Sequence, residues 1–127
     1  MTTFKVLLID DDVTNNLINK EILLMVDSRF EVETIESAEG AIHYIKQLGA
    51  PDLIFLDINM AGMSGFEFLQ WAKENPHLAS KIVVLTAIPL NEEKVNQLNQ
   101  LGCNDILVKP ITIEKIEDLL KVSKVEN

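Results

Sequence analysis

The residues able to do chemistry in this sequence stand at the ends of short apolar runs. Asp10, Asp11 and Asp12 follow the run Phe4–Ile9, and Asp57 follows residues 53–56. Thr86 follows residues 82–85, and Lys109 with Pro110 follows residues 106–108. Carboxylates gathered in one place repel one another and raise each other's pKa values. A hard divalent cation with oxygen ligands relieves that repulsion. Mg2+ suits such a set, since one or two carboxylates suffice when waters and a phosphate complete its shell. A lysine beside the cluster supplies a second counter-charge, and a threonine hydroxyl supplies a neutral donor. Each piece has an ordinary reading alone: a solvated turn for the triplet, a cap or Asx-turn for a lone Asp, plain β-propensity for Thr. Four separate runs that end in the four groups a phosphoryl site requires favour the joint reading.

These residues converge on one edge if the runs are parallel strands. Residues 4–9, 53–56, 82–85 and 106–108 are short and rich in Ile, Val, Leu and Phe, as strands buried on both faces are. A weaker alternating stretch, residues 32–35, makes a fifth. Helical spacing fills the intervals. Ile18, Ile22 and Met25 are expected to form the buried face of the first helix, and Ala41, Ile42, Ile45 and Leu48 that of the second. Phe66, Leu69 and Trp71 mark a third helix. Val95, Leu98 and Leu101 mark a fourth, and Ile113, Ile116, Leu119 and Leu120 a fifth. Ser37 and Gly49 bracket the second helix, with Pro51 barring its continuation. Asn91 and Gly102 bracket the fourth, and Thr112 can cap the last. Strict alternation of strand and helix predicts a doubly wound parallel sheet with helices on both faces. In such folds the ligand site lies beyond the carboxyl ends of the strands, where the strand order reverses. Those ends are the positions named above.

Composition narrows the function. The chain has 127 residues, with 20 acidic and 11 basic side chains and a net charge of −9. That balance disfavours direct nucleic-acid binding and an anionic membrane surface, both of which call for Lys and Arg. The length suits one domain spanning residues 1–127, with no repeat or linker inside it. A single cysteine, Cys103, excludes an internal disulfide. No apolar run nears the ~20 residues of a membrane span. The start, Met1-Thr2-Thr3-Phe4-Lys5, lacks signal-peptide character, so a cytoplasmic protein is expected.

The segments Val6-Leu7-Leu8-Ile9-Asp10-Asp11-Asp12, Pro51-Asp52-Leu53-Ile54-Phe55-Leu56-Asp57-Ile58-Asn59-Met60, Val84-Leu85-Thr86-Ala87 and Leu107-Val108-Lys109-Pro110 resemble the receiver domain of two-component response regulators. Gly62 and Gly65 follow the third strand as they do in that family. The resemblance implies a flavodoxin-like five-stranded sheet in the order 2-1-3-4-5, an order inherited with the family. It implies that Asp57 accepts a phosphoryl group from a histidine kinase or phosphotransfer protein. Asp11 would ligate Mg2+ directly and Asp10 through water. Asp57 and the Asn59 carbonyl would complete the protein ligands. Lys109 and the Thr86 hydroxyl would hold phosphoryl oxygens, aided by the Ala87 N–H, and the Lys109–Pro110 peptide would be cis. The output would be a switched protein–protein surface and not an enzymatic reaction on another substrate. Three positions depart from the family's usual residues. Ile106 stands where Tyr or Phe commonly couples to the threonine, Ala61 where Pro is frequent, and Ile111 where Phe is common.

Other readings have weaker support. An aspartyl-phosphate phosphatase would want a general acid two residues after the nucleophile, and that position is Asn59. A flavin-binding flavodoxin would want a Ser/Thr/Gly-rich phosphate loop where this chain has three aspartates. A phosphate-independent interaction module would not need the acceptor set, and a receiver cut from a larger transcriptional regulator is a further alternative. His43 and His77 lack partners at ligand spacing and read as surface residues. Trp71 and Cys103 read as packing residues, as do Met60 and Met63 beside the acceptor loop. Leu17, with Pro110 and Ile111, is expected to form an exposed apolar patch for the phosphoryl donor.

Overall fold

The structure, a computed structural model, describes residues 3–125 other than 61, 76, 77, 79 and 104, with side chains described up to residue 120. Ala61 and His77 therefore lie outside the described residues. Five strands alternate with five helices: β1 (Phe4–Ile9), α1 (Val13–Val26), β2 (Phe30–Ile35), α2 (Ala38–Leu48), β3 (Leu53–Asp57), α3 (Gly65–Lys73), β4 (Lys81–Thr86), α4 (Glu92–Gln100), β5 (Asp105–Val108) and α5 (Ile113–Val125). All four strand pairings are parallel, and the order is β2-β1-β3-β4-β5.

The strands read as continuous apolar runs because both of their faces are covered. Successive side chains alternate between two cores. Leu7, Ile9, Ile54, Leu56 and Val84 join Ala41, Ile45, Phe68, Leu69 and Leu98 from α2, α3 and α4. Val6, Leu8, Leu53, Phe55, Val83 and Leu85 join Leu23 and Ile116 from α1 and α5. The register sets the strand ends level. Ile9 pairs with Leu56, Asp57 with Leu85 and Thr86 with Val108. The residue after each strand consequently emerges on one edge of the sheet.

The helix boundaries follow from local chemistry. Ser37 accepts a hydrogen bond from the Gly40 N–H, and Gly49 ends α2 at φ 93°. Asn91 accepts from the Lys94 N–H at the start of α4. Ser64 and Glu67 form a reciprocal capping box on α3. Strand β2 begins at Phe30, earlier than the alternation suggests, because the Phe30 ring packs on Phe4 of β1 with centroids 5.4 Å apart.

Helix α1 corrects one expectation. Its buried residues are Asn16, Asn19 and Leu23, with Ile22 partly buried. Ile18 and Met25 are exposed, Met25 at 69%. Asp12 caps the helix by accepting from the Thr14 and Asn15 N–H groups. That start turns residue 16 inward, and the Asn16 amide finds a partner there in the Asp10 carbonyl at 2.9 Å. An amide whose NH2 group finds a carbonyl can occupy an interior position that apolar periodicity assigns to isoleucine, here with Oδ1 buried and without a hydrogen-bond partner among the described residues. Leu48 of α2 is likewise exposed, although it shares the spacing of Ala41 and Ile45.

Leu23→Ala should destabilise the protein by about 2–5 kcal/mol, the usual cost of a core truncation. Met25→Ala should change stability by less than about 0.5 kcal/mol, as at other exposed positions. Urea unfolding of the two variants checks the helix phase.

Candidate functional site

The edge formed by the carboxyl ends of β1, β3, β4 and β5 gathers the polar residues. Asp10 follows β1 and is 2% exposed, and Asp57 ends β3 at 6% exposed. Buried carboxylates need donors. The Asp10 N–H donates to the Ile35 carbonyl at 3.1 Å, and Asp10 Oδ1 accepts from the Asp12 N–H at 2.9 Å. Asp57 Oδ1 accepts from the Asn59 N–H at 3.1 Å. Both carboxylates share one cation, with Lys109 Nζ 2.9 Å from Asp10 Oδ2 and 3.4 Å from Asp57 Oδ2. Asp11 is exposed beside them. Asp10, Asp11 and Asp57 each offer an oxygen, and the three oxygens lie within 4.8 Å of one another. Three hard oxygen donors this close fit a divalent cation.

The electrostatics fit the geometry. Burial pushes the Asp57 carboxyl above the usual range, and the Asp10 charge pushes the same way. The Asn59 N–H and the Lys109 charge pull against this without cancelling it. For Lys109, burial acts to lower the ammonium pKa. The hydrogen bond to Asp10 and the charges of Asp57 and Asp10 outweigh it, so the net shift is upward and the lysine stays protonated.

Thr86 is fully buried at the end of β4. Its hydroxyl donates to the Ile88 carbonyl at 2.7 Å, so it is engaged by the following loop and not by Asp57. The Thr86 carbonyl accepts from the Lys109 N–H at 2.7 Å, which ties the two strand ends together. The Lys109–Pro110 peptide is cis. Ile106 is partly buried against the core on the α2–α3–α4 side. Behind the Asp57 turn, a Cβ on Gly65 would lie 2.8 Å from Ile58 Cα and 3.0 Å from the Asp57 carbonyl oxygen. Only a residue without a side chain lets α3 start this close to the turn.

One part of the sequence reading changes here, and the exposure expected of Leu17 holds. Ile111 is 3% exposed and belongs to the core on the α1–α5 side, so it cannot line an exposed patch. Leu17 is exposed at 62%, and Val13, one turn earlier on the same face of α1, is exposed as well. Two supporting residues escaped the sequence reading. Asn16 holds the Asp10 carbonyl, and Lys115 Nζ donates to the Val108 and Pro110 carbonyls at 2.7 and 2.9 Å. The available signals were a polar pair, Asn16 and Asn19, three apart in an amphipathic helix, and a cation in a helix's first turn. His43 is exposed, Cys103 is buried, and Trp71 is half-buried against Phe68.

The raised Asp57 pKa gives a signed pH dependence. The folded state binds this proton more tightly than the unfolded state, so the group's contribution to stability falls as pH rises through its folded pKa. Asp57→Asn should raise the melting temperature at neutral pH. Wild type and variant should converge as the pH is lowered and Asp57 takes up its proton. Thermal unfolding monitored by circular dichroism across that range checks both the sign and the convergence.

Comparison with known proteins agrees with this geometry. The family described as the response regulator receiver domain matches residues 6–121. A probable chemotaxis protein CheY of Rhizobium etli is 30% identical over 89% of this chain and 86% of its own length. The sensor protein GacS of Pseudomonas syringae pv. syringae is 32% identical over 91% of this chain, which there spans 13% of the relative. Among solved structures, the chemotaxis protein CheY4 of Vibrio cholerae superposes with a TM-score of 0.83 at 27% identity, covering 94% of this chain and 98% of that one. With its parallel sheet in the order β2-β1-β3-β4-β5 and this family match over most of its length, the chain belongs to the response regulator receiver domain family.

Proposed function

We propose that this protein is a phospho-accepting receiver, with Asp57 as the acceptor and a histidine kinase or phosphotransfer protein as the donor. The supporting observation is the placement of Asp57: a buried carboxylate at a strand end, 3.4 Å from Lys109 Nζ and grouped with Asp10 and Asp11. An Asp57 oxygen attacks the phosphorus of a phosphohistidine. The P–O bond forms as the P–N bond breaks, and the electron pair returns to the ring nitrogen, which leaves as neutral imidazole after taking one proton. Positioning and charge neutralisation do most of the work in such a transfer. Lys109 already lies between the two carboxylates and can turn its charge to a phosphoryl oxygen. Asp10, Asp11, Asp57 and the Asn59 carbonyl would hold Mg2+, which neutralises phosphoryl oxygens when bound. The expected setting is the cytoplasm, where the donor carries its phosphohistidine. No helix among the described residues is long and apolar enough to cross a membrane.

The Thr86 hydroxyl is the buried donor nearest in sequence to the loop that would report phosphorylation. It can serve a phosphoryl oxygen only by giving up the Ile88 carbonyl. Residues 87–91 must then rearrange. Ile106 is stiff at χ1 and has few rotamers with which to follow. The output is therefore a protein–protein surface centred on the loop before α4. Asn59 at the second position after Asp57 has no proton to give as a general acid, which disfavours the phosphatase alternative.

Four outcomes test this reading. Incubated with acetyl phosphate and Mg2+, wild type should gain one phosphoryl group by intact mass and Asp57→Asn none. Equal labelling of both would overturn the assignment. Asp11→Ala should weaken Mg2+ binding by tenfold or more, the usual order for an altered metal site. Asp12→Ala, which removes a helix cap, should leave it within about twofold, as followed by Trp71 fluorescence or NMR. In NMR spectra of the free and beryllofluoride–Mg2+ forms, residues 87–91 should shift more than Ile106 and α4. Leu17→Ala should slow transfer from the protein donor and leave labelling by acetyl phosphate unchanged, since an exposed apolar residue beside a site marks a partner surface.

A further inference from the structure

Lys115 sits against the polarity of its own helix. Thr112 Oγ1 accepts the Lys115 N–H at 3.1 Å, which places this lysine in the first turn of α5. A cation there faces the positive pole of the helix dipole. Its ammonium is nevertheless held, because Nζ donates to the Val108 carbonyl at 2.7 Å and to the Pro110 carbonyl at 2.9 Å. Those two carbonyls bracket Lys109. The Lys109 N–H in turn donates to the Thr86 carbonyl at 2.7 Å, so the backbone of residues 108–110 is held at three points.

We propose that Lys115 is a positioning residue for the phosphoryl-accepting site. It fixes the carbonyls of Val108 and Pro110, the residues on either side of Lys109, and so sets the origin from which the Lys109 ammonium reaches Asp57. The inference rests on the reading of Asp57 as phosphoacceptor. Lys109 has a long flexible stem, and in the resting state its tip is anchored by Asp10 at 2.9 Å. An incoming phosphoryl oxygen competes with Asp10 for that ammonium. Once the tip turns to the phosphoryl group, the backbone anchors alone keep the stem in reach. Charge-assisted hydrogen bonds from an ammonium are stronger than neutral ones, which suits them to that task. The segment is otherwise continuous with β5 on one side and with buried Ile111 on the other. Loss of the Lys115 ammonium therefore loosens this turn without removing a core contact.

The test compares wild type, Lys115→Met, which keeps most of the stem, and Lys115→Arg, which keeps the charge. Four quantities are read on the full chain: the rate of labelling by acetyl phosphate with Mg2+, beryllofluoride affinity at saturating Mg2+, Mg2+ affinity alone, and the melting temperature. Lys115→Met should lower the labelling rate and beryllofluoride affinity about tenfold, the order expected when a supporting contact is lost and a reacting group drifts. Its Mg2+ affinity should stay within about twofold, because the Lys115 ammonium bonds to the Val108 and Pro110 carbonyls and not to the acidic cluster. Lys115→Arg should recover most of the loss. The proposal is overturned if Lys115→Met matches wild type, if Mg2+ affinity falls as far as beryllofluoride affinity, or if arginine does no better than methionine. Lys115→Gln replaces the methionine variant if the latter does not fold. Wild type that takes no phosphoryl group overturns the acceptor reading itself, whereas wild type and Lys115→Met labelling at one rate overturns only the role of Lys115.

Discussion

One ammonium between two buried carboxylates is the interaction on which the rest of this structure depends. Asp10 and Asp57 sit at neighbouring strand ends, where water is largely excluded, and each carries a charge that raises the cost of the other. Lys109 offsets part of that repulsion from the far side of the sheet edge, through contacts of 2.9 and 3.4 Å. The offset is incomplete, since burial still holds the Asp57 carboxyl above its usual range. A site left short of positive charge, with hard oxygens converging, has the donor set that a divalent cation would satisfy.

The surrounding backbone is organised to keep that arrangement in place. Asn16 secures the Asp10 carbonyl from beneath, the Thr86 carbonyl secures the Lys109 N–H, and Lys115 secures the carbonyls on either side of Lys109. Gly65 lets α3 begin against the Asp57 turn. The Thr86 hydroxyl, by contrast, is committed to Ile88 in the loop beyond β4. The acid-bearing side and the lysine-bearing side are thus braced, and the threonine side is the one with an alternative partner to choose. That asymmetry gives a physical reason for the direction in which a change at Asp57 would travel.

Helix α1 shows how a single polar contact can set which surface a domain presents. With Asn16 and Asn19 turned inward, the apolar residues Val13, Leu17, Ile18 and Met25 are left facing solvent. The helix contributes its start to the acidic turn through Asp12 and exposes an apolar face beside it. An inward isoleucine stripe would have given a better-packed core and a blander surface.

Strand positions and the carboxylate, threonine and lysine at their ends were legible in the residue order, because parallel strands buried on both faces leave short unbroken apolar runs. Asp57, Thr86 and Lys109 were legible for the same reason: each directly follows or ends such a run. The capping roles of Ser37, Asn91 and Thr112 were also readable, since an N-cap acts on backbone within three residues of itself. The phase of α1, the burial of Ile111 and the work of Asn16 and Lys115 were not. Each depends on a partner from another element or on a backbone carbonyl, and carbonyls carry no residue identity that a sequence can display. Periodicity assigns inward positions by hydrophobicity alone, and an amide that finds a carbonyl inside the fold escapes it. The sharing of one lysine by Asp10 and Asp57 was likewise decided by tertiary structure, because only the strand register brings residues 10, 57 and 109 to one edge.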